Sequence, residues 1–128
     1  MDEVERDWIR RAQQGDGWAF EQLVSRYDRP TLALARHMVG NIPDAQDVYQ
    51  EALLAAFQGL PRFRMDSVFS TWLYRIAVNK AMMELSPQER MAFSLCHRQG
   101  MRIDRAAERI ECSMGSVKSY LFRGRDKI

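Results

Sequence analysis

Apolar side chains recur every three or four residues along almost the whole chain, which is the period of one buried face of an α-helix. Over residues 18–39 the repeat includes Phe20, Leu23 and Tyr27. Pro30 is expected to kink that helix, since proline lacks a backbone N–H group. The pattern predicts helices at residues 2–14, 18–39, 43–59, 69–83, 87–100, 103–110 and 115–127, with a loop at residues 60–68. No segment alternates in the manner of a β-strand, so the predicted fold class is all-α.

The seven predicted helices divide into two small helical domains. Four helices belong to residues 1–82 and three to residues 83–128. The second domain opens on Ser86-Pro87-Gln88-Glu89, where a serine cap, a first-turn proline and a glutamate at the third position predict a helix N-terminus. Its last two helices are short and are joined by a tight turn, so this domain is expected to be a helix-turn-helix unit.

Charge is distributed unevenly between the two predicted domains. Residues 1–83 contain 10 Lys and Arg against 11 Asp and Glu, whereas residues 84–128 contain 9 against 6. The whole chain of 128 residues therefore carries a net charge of only +2. A slightly acidic first part and a basic C-terminal part indicate two different partners.

Several classes of protein are disfavoured by the composition. The cysteines, Cys96 and Cys112, form no CxxC pair, and no Cys/His cluster has metal-ligand spacing, so neither a metal nor another cofactor is expected. With two histidines and no glycine-rich phosphate loop, the chain is not expected to be an enzyme. The charged N-terminus and the lack of an apolar run of about 18 residues predict a cytoplasmic protein that does not insert into a membrane.

The C-terminal helix is predicted to have a basic outer side. Val117 and Leu121 lie four residues apart and are expected to pack on Ala106, Ala107 and Ile110 of the preceding helix. The outward side chains are then Lys118, Ser119, Phe122, Arg123 and Arg125. Lysine and arginine contact phosphates or guanine edges, and phenylalanine packs on a thymine methyl, so this side is expected to bind duplex DNA. The alternative is an ordinary solvated face.

An acidic face is predicted on the third helix. Spacings of three and four residues place Asp44, Asp47 and Glu51 on one side, and Gln50 lies beside them. Such a face repels DNA and suits a basic protein surface. The alternative is a face that serves solubility alone.

Basic and aromatic residues interleave through residues 61–80. They are Arg62, Phe63, Arg64, Phe69, Trp72, Tyr74, Arg75 and Lys80, and Asn79 shares a helix face with Trp72 and Arg75. A loop followed by such a helix can stack an unpaired base and hold the backbone of a single DNA strand. The alternative is that the aromatic rings belong to the core.

Five segments occur in the order found in bacterial extracytoplasmic-function sigma factors, and together they span about residues 8–125. They read AFEQLVSRYDRPTLALARHMVG, PDAQDVYQEALLAAFQGLPRFR, FSTWLYRIAVNKA, LSPQERMAFSLCHRQGM and GSVKSYLFRGR. The resemblance implies a four-helix sigma region 2 domain at residues 1–82 and a helix-turn-helix sigma region 4 domain at residues 83–128. It also implies an alternative sigma factor that directs RNA polymerase core to specific promoters and is inhibited by an anti-sigma factor, often a membrane-anchored one.

The resemblance also implies roles for individual residues. Asp47, Gln50 and Glu51 would bind the clamp helices of the polymerase core. Arg62, Phe63, Arg64, Trp72, Arg75, Asn79 and Lys80 would contact the melted −10 element of promoter DNA. Lys118, Ser119, Phe122, Arg123 and Arg125 would contact the duplex −35 element. Tyr120 stands where the family often has a basic residue, which leaves the −35 preference open.

The junction between the two predicted domains is short. In the segment NKAMMELSPQER, the cap residue Ser86 follows almost directly after the predicted fourth helix. Hardly any residues are therefore left to form a linker between the two domains. The promoter elements lie roughly 17 base pairs apart in this family, or roughly 58 Å at about 3.4 Å per pair. An extended chain advances at most about 3.6 Å per residue. A disordered linker near residues 81–84 is therefore expected to be missing from the sequence, because the short junction would not let one chain occupy both elements together.

Two other functions stay open on the sequence alone. One is a helix-turn-helix regulator that binds duplex DNA as a dimer without polymerase, which leaves the acidic face and the loop unused. The other is an interaction module that binds an anti-sigma factor and supports no transcription.

Overall fold

The computed structural model describes residues 1–121, and every regular element within them is a helix, which confirms the all-α prediction. Its helices are α1 (Glu3–Gln13), α2 (Gly17–Ser25), α3 (Asp28–Val39), α4 (Ile42–Gly59), α5 (Phe69–Met83), α6 (Pro87–Phe93), α7 (Ile103–Ile110) and α8 (Met114–Leu121). One turn of 3₁₀ helix, Leu60–Arg62, follows α4, and a π-helical segment, Ser94–Arg98, extends α6.

The predicted single helix over residues 18–39 is wrong, because α2 ends at Ser25 and α3 begins at Asp28. Pro30 lies in the first turn of α3, where the backbone N–H groups have no partner within the helix. A proline there interrupts no hydrogen bond. The expected kink is therefore replaced by a break between two helices, just before the proline.

Side-chain caps fix the starts of several helices. Asp2 accepts a hydrogen bond of 2.7 Å from the backbone N–H of Glu5, and Asp16 and Asn41 cap α2 and α4 in the same way. The predicted start of α6 is confirmed, since Ser86 and Glu89 form a reciprocal capping box. Each cap satisfies N–H groups that the helix itself leaves unpaired.

Two clusters of buried side chains hold α1–α5 together. The first lies among α1, α2, α4 and α5, and its largest fully buried members are Ile9, Leu23, Leu60, Phe69 and Leu73. The second lies among α3, α4 and α5, and it includes Ala35, Met38, Val39, Ala45, Val48, Ala81 and Leu85. A third cluster packs α6, α7 and α8 together through Ala92, Leu95, Ala106, Ala107, Val117 and Leu121.

The junction between α5 and α6 is ordered and is part of the core. Only residues 84–86 separate the two helices. Leu85 is 5% exposed, and Phe93 of α6 packs against the same second cluster. The unit formed by α6–α8 therefore packs directly on the unit formed by α1–α5. Met91 of α6 lies on the outer side of that helix and is 51% exposed.

Candidate protein and nucleic-acid interfaces

An acidic ridge runs along the exposed side of α4 and consists of Asp47, Gln50 and Glu51. All three residues are exposed. The opposite side of α4 is buried through four small or branched residues, Ala45, Val48, Ala52 and Ala56. Within residues 1–121 neither Asp47 nor Glu51 forms an ion pair. The carboxylates of the ridge are therefore presented to solvent.

Leu54 continues the acidic ridge as an apolar residue. It is 60% exposed and lies four residues after Gln50 and three after Glu51, so it shares their side of the helix. It was not among the residues predicted from the sequence to form this surface, although the same spacing that united the acidic residues includes it. A single exposed leucine is ordinary on a protein surface, so Leu54 adds apolar area to the ridge and does not define a binding site by itself.

Asp44 lies outside the acidic ridge and has a structural role at the start of α4. It is half-buried, and its carboxylate accepts a hydrogen bond of 2.9 Å from the side chain of Asn41. Its backbone N–H in turn donates to the Asn41 side chain, also at 2.9 Å. Asp44 therefore helps to close the N-terminus of α4.

The loop between α4 and α5 is held against α1 and exposes two arginines. Gln13 donates hydrogen bonds to the main-chain oxygens of Leu60 and Phe63. Arg62 and Arg64 are exposed on either side of Phe63. Phe63 itself is 7% exposed and belongs to the first core cluster, so the expectation that its ring contacts DNA is corrected. The ring is held inward because its neighbours in the core are other aromatic rings.

Trp72 packs partly into the same aromatic group. Its ring centroid lies 5.1 Å from that of Phe63 and 5.8 Å from that of Phe69. Such tilted contacts are favourable between aromatic quadrupoles. The alternative of an aromatic core is thus correct for Phe63 and Phe69 and partly correct for Trp72, which is half-buried.

The outer face of α5 carries the polar residues expected to contact single-stranded DNA. Arg75 and Asn79 are exposed and Lys80 is half-buried. Since Arg75 and Asn79 lie one helical turn apart, they share this face. The structure thus brings them together on a rigid helix, whereas Arg62 and Arg64 approach from the loop.

A cleft of about 580 Å³ lies between α5 and the π-helical segment. Arg98 donates a hydrogen bond of 3.2 Å to Oδ1 of Asn79 across it. The ring of His97 lies 4.7 Å from that of Phe93 and 6.2 Å from that of His37 of α3. The sequence did not reveal the cleft, because its two walls come from helices whose packing no local pattern specifies.

The helix-turn-helix arrangement of α7 and α8 follows the sequence prediction. Glu111 turns the chain with a φ of 61°, and the side-chain oxygen of Ser113 accepts a hydrogen bond of 3.0 Å from the backbone N–H of Ser116. Val117 and Leu121 are buried against Ala106 and Ala107, as expected, and Ile110 packs beside them.

The outer side of α8 is partly within the described residues. Lys118 and Ser119 are exposed and Tyr120 is half-buried. The other three residues predicted to contact duplex DNA, Phe122, Arg123 and Arg125, lie outside the described residues.

Among residues 1–121 no group of three or more His, Cys, Asp or Glu is placed to hold a metal ion. Cys96 and Cys112 are free thiols, and burial raises the pKa of the Cys96 thiol. No helix in the same part of the chain is long and apolar enough to cross a membrane.

Comparison with protein families identifies both units. The family model of Sigma-70 region 2 matches residues 23–91, and that of Sigma-70 region 4 matches residues 75–128. The two matched ranges share residues 75–91, which contain the second half of α5, the junction and the start of α6.

Curated relatives are RNA polymerase sigma factors. The chain is 46% identical over 79 residues to the sigma-H factor of Pseudomonas aeruginosa, which is 62% of this chain and 41% of that protein. It is 30% identical to the ECF RNA polymerase sigma-E factor of Haemophilus influenzae over 172 residues, covering 94% of this chain and 90% of that protein. The sigma-E factor of Escherichia coli K12 gives the same values over 174 residues.

The alignments with the sigma-E factors also contain gaps. Of the 128 residues of this chain, 94% is about 120 residues, so about 52 of the 172 positions aligned with the Haemophilus protein are gaps in this chain. That relative therefore carries about 52 residues within the aligned span that this chain lacks.

Solved structures share the fold. The chain resembles CnrH in its complex with the cytosolic domain of CnrY, with a TM-score of 0.57, 27% identity and coverage of 98% of this chain and 94% of CnrH. It also resembles a chain of the RsbN–BldN complex, with a TM-score of 0.54, 25% identity and coverage of 91% and 93%.

Proposed function

The chain belongs to the extracytoplasmic-function family of RNA polymerase sigma factors, and from this premise we propose that it carries RNA polymerase core to specific promoters in the cytoplasm. The observation that supports the proposal most directly is the separation of charge between two exposed helix faces. Carboxylates are exposed on α4, and basic side chains are exposed on α5 and α8. An anionic surface suits a protein partner, whereas the cationic surfaces suit promoter DNA.

The acidic ridge is the proposed contact for the clamp helices of the polymerase core. Asp47 and Glu51 are exposed and unpaired within the described residues, so they are available to basic side chains of a partner. Leu54 adds apolar area beside them. A charged rim with an apolar centre is a common arrangement at protein interfaces.

The loop after α4 and the outer face of α5 form the proposed contact for the melted −10 element. Arg62 and Arg64 are exposed and carry donors that suit phosphates, and Arg75 and Asn79 offer donors to phosphates or base edges. Trp72 keeps part of its ring exposed for stacking. Phe63 supports Trp72 from inside the core and is left out of the DNA-binding surface.

The exposed side of α8 is the proposed contact for the duplex −35 element. Lys118 and Ser119 face solvent on the second helix of a helix-turn-helix unit, which is the helix that enters the major groove in such units. Phe122, Arg123 and Arg125 continue this proposal in sequence only.

An anti-sigma factor is the proposed inhibitor. CnrH, a structural relative of this chain, forms a complex with the cytosolic domain of CnrY. A comparable partner of this chain, membrane-anchored or not, would cover the acidic ridge and the DNA-binding faces. That partner and polymerase core would then compete for the acidic ridge of this chain.

Run-off transcription with purified polymerase core tests the proposed function. The templates carry randomised −10 and −35 elements separated by spacers of varied length, with a barcode downstream of the start site, and sequencing of the transcribed barcodes identifies the promoters used. We expect transcripts from a defined promoter class that polymerase core alone does not make. Tight binding to a palindrome without polymerase would instead support a dimeric helix-turn-helix regulator.

The short junction favours a second candidate function. Leu85 is buried between the units, so only residues 84–86 are available to separate them. A chain that cannot span both promoter elements could still occupy an anti-sigma factor and thereby release other sigma factors. Absence of any transcript, together with binding to an anti-sigma factor, would support this interaction module.

A further inference from the structure

We propose that the cleft between α5 and the π-helical segment binds a single nucleic-acid strand, with Arg98 of the second unit contacting its phosphate backbone. The inference rests on the proposed function and extends the −10 surface across the junction between the units. The region 4 unit would then contribute to holding the melted strand as well as to reading duplex DNA.

The charge of the cleft favours an anionic occupant. Two arginines, Arg75 from α5 and Arg98 from the π-helical segment, lie on its two walls together with His97. No aspartate or glutamate is among the residues that line it. Arginine presents several N–H donors in a rigid plane, which is well suited to phosphate oxygens.

The aromatic and amide groups of the cleft favour a nucleotide over a simple anion. Tyr74 and Phe93 line it from opposite units, and Asn79 lies between the arginines. Aromatic side chains stack on bases irrespective of their identity, and amides bond to base edges. At about 580 Å³ the cleft is of a size that holds a small molecule or single nucleotides of a strand, not a duplex.

The short junction makes this composite surface available. Because Leu85 and Phe93 pack into the core of the first unit, the π-helical segment is held beside α5. Arg98 is exposed, and its hydrogen bond to Asn79 sets its guanidinium next to the face that carries Arg75. The packing of the two units and the hydrogen bond between Arg98 and Asn79 would thus hold this composite surface in place.

Fluorescence anisotropy of the full chain with a labelled random 12-nucleotide single strand tests the inference. We expect Arg98→Ala to weaken binding by about threefold to tenfold and to lower the slope of log K against log salt by about 0.7, the value for one phosphate contact on a single strand. Arg98→Lys retains the charge but loses the planar set of donors, so it is expected to keep the salt slope of the wild type and to weaken binding less than Arg98→Ala does. Arg109→Ala removes the same charge from an exposed site on α7 outside the cleft and is expected to leave binding unchanged within about twofold.

The outcomes separate this inference from the proposed function. Equal losses in Arg98→Ala and Arg109→Ala, or no loss in Arg98→Ala, would overturn the cleft while run-off transcription by the wild type would still support a sigma factor. Competition with unlabelled molecules tests whether the site is specific for a strand. If a mononucleotide, or an oligoglutamate of equal charge, displaced the labelled strand as readily as unlabelled strand does, the proposal of a strand-binding site would be overturned. Thermal unfolding of each variant establishes that the fold is retained, and Arg98→Gln, which removes the charge but keeps a long polar side chain, serves as the test if Arg98→Ala unfolds.

Discussion

The side-chain nitrogen of Gln13 lies 2.9 Å from the main-chain oxygen of Phe63 and donates a hydrogen bond to it across 50 positions of sequence. The same nitrogen donates to the oxygen of Leu60 at 3.1 Å. One side chain of α1 thus satisfies two carbonyl groups of the segment that follows α4. The loop with Arg62 and Arg64 is therefore positioned by the first helix of the fold.

Replacing Gln13 by alanine is expected to destabilise the protein. Two part-buried hydrogen bonds would be lost, each contributing about 0.5–1.5 kcal/mol, so the free energy of unfolding should fall by about 1–3 kcal/mol. Urea denaturation followed by circular dichroism measures this change. The neighbouring exposed residue provides a matched control, since Gln14→Ala should change stability by less than about 0.5 kcal/mol. Equal effects in the two variants would contradict the role of Gln13.

Leu85 is expected to couple the stability of the two units. Its side chain is buried in the second core cluster at the junction, so Leu85→Ala should lower the free energy of unfolding by about 2–5 kcal/mol. Met83, two residues earlier, is 70% exposed, and Met83→Ala should cost less than about 0.5 kcal/mol. Urea denaturation of both variants gives the comparison. A Leu85→Ala variant as stable as Met83→Ala would show that the junction is not part of the core.

The features that the sequence predicted correctly are local in origin. The capping box of Ser86 and Glu89 depends on residues three apart, and the inward positions of Val117 and Leu121 depend on one helical turn. Such signals are complete within a short segment. The acidic ridge was predicted for the same reason.

The features that the sequence did not predict depend on tertiary packing. Phe63 lies in a loop whose basic and aromatic residues are typical of a DNA-binding loop. Its ring nevertheless packs into the core, because the rings of Phe69 and Trp72 lie beside it. The contact between Asn79 and Arg98 joins helices on either side of the junction, and no periodicity within either helix indicates it. The break before Pro30 was missed because the apolar repeat continues across it.

Stability is expected to fall when the pH drops from 7.5 to 5.5, in part through His97. Burial against Phe93, together with the nearby His37, holds the pKa of His97 below its usual value of 6.5. The unfolded chain therefore takes up a proton near pH 6.5 that the folded chain resists, and the folded state loses stability below that pH. The effect reverses as the pH rises through this window.

The variant His97→Gln isolates this contribution. It should show a smaller decrease in the urea midpoint between pH 7.5 and 5.5 than the wild type does, because the group that titrates is absent. Burial raises the pKa of the Asp28 carboxyl, which acts in the opposite direction in both proteins and cancels in the comparison. The lowered pKa values of Asp2 and Asp16 affect the free energy of unfolding only below about pH 4, where free carboxyls titrate. Identical pH dependence in the two proteins would contradict the assignment to His97.

The acidic ridge provides the sharpest test of the proposed polymerase contact. Asp47→Arg reverses the charge at an exposed site, so it should place like charges against a basic partner surface and weaken binding to polymerase core by at least about tenfold. Glu21→Arg makes the same change in net charge at an exposed residue of α2 and should leave core affinity within about twofold. Binding to isolated −35 duplex should be unaffected in both variants, because α8 is untouched. Two results would contradict the proposal that the acidic ridge binds polymerase core: an unchanged core affinity in Asp47→Arg, or an equal loss of affinity in Glu21→Arg. In either case the charge at position 47 of α4 would have no specific effect on binding.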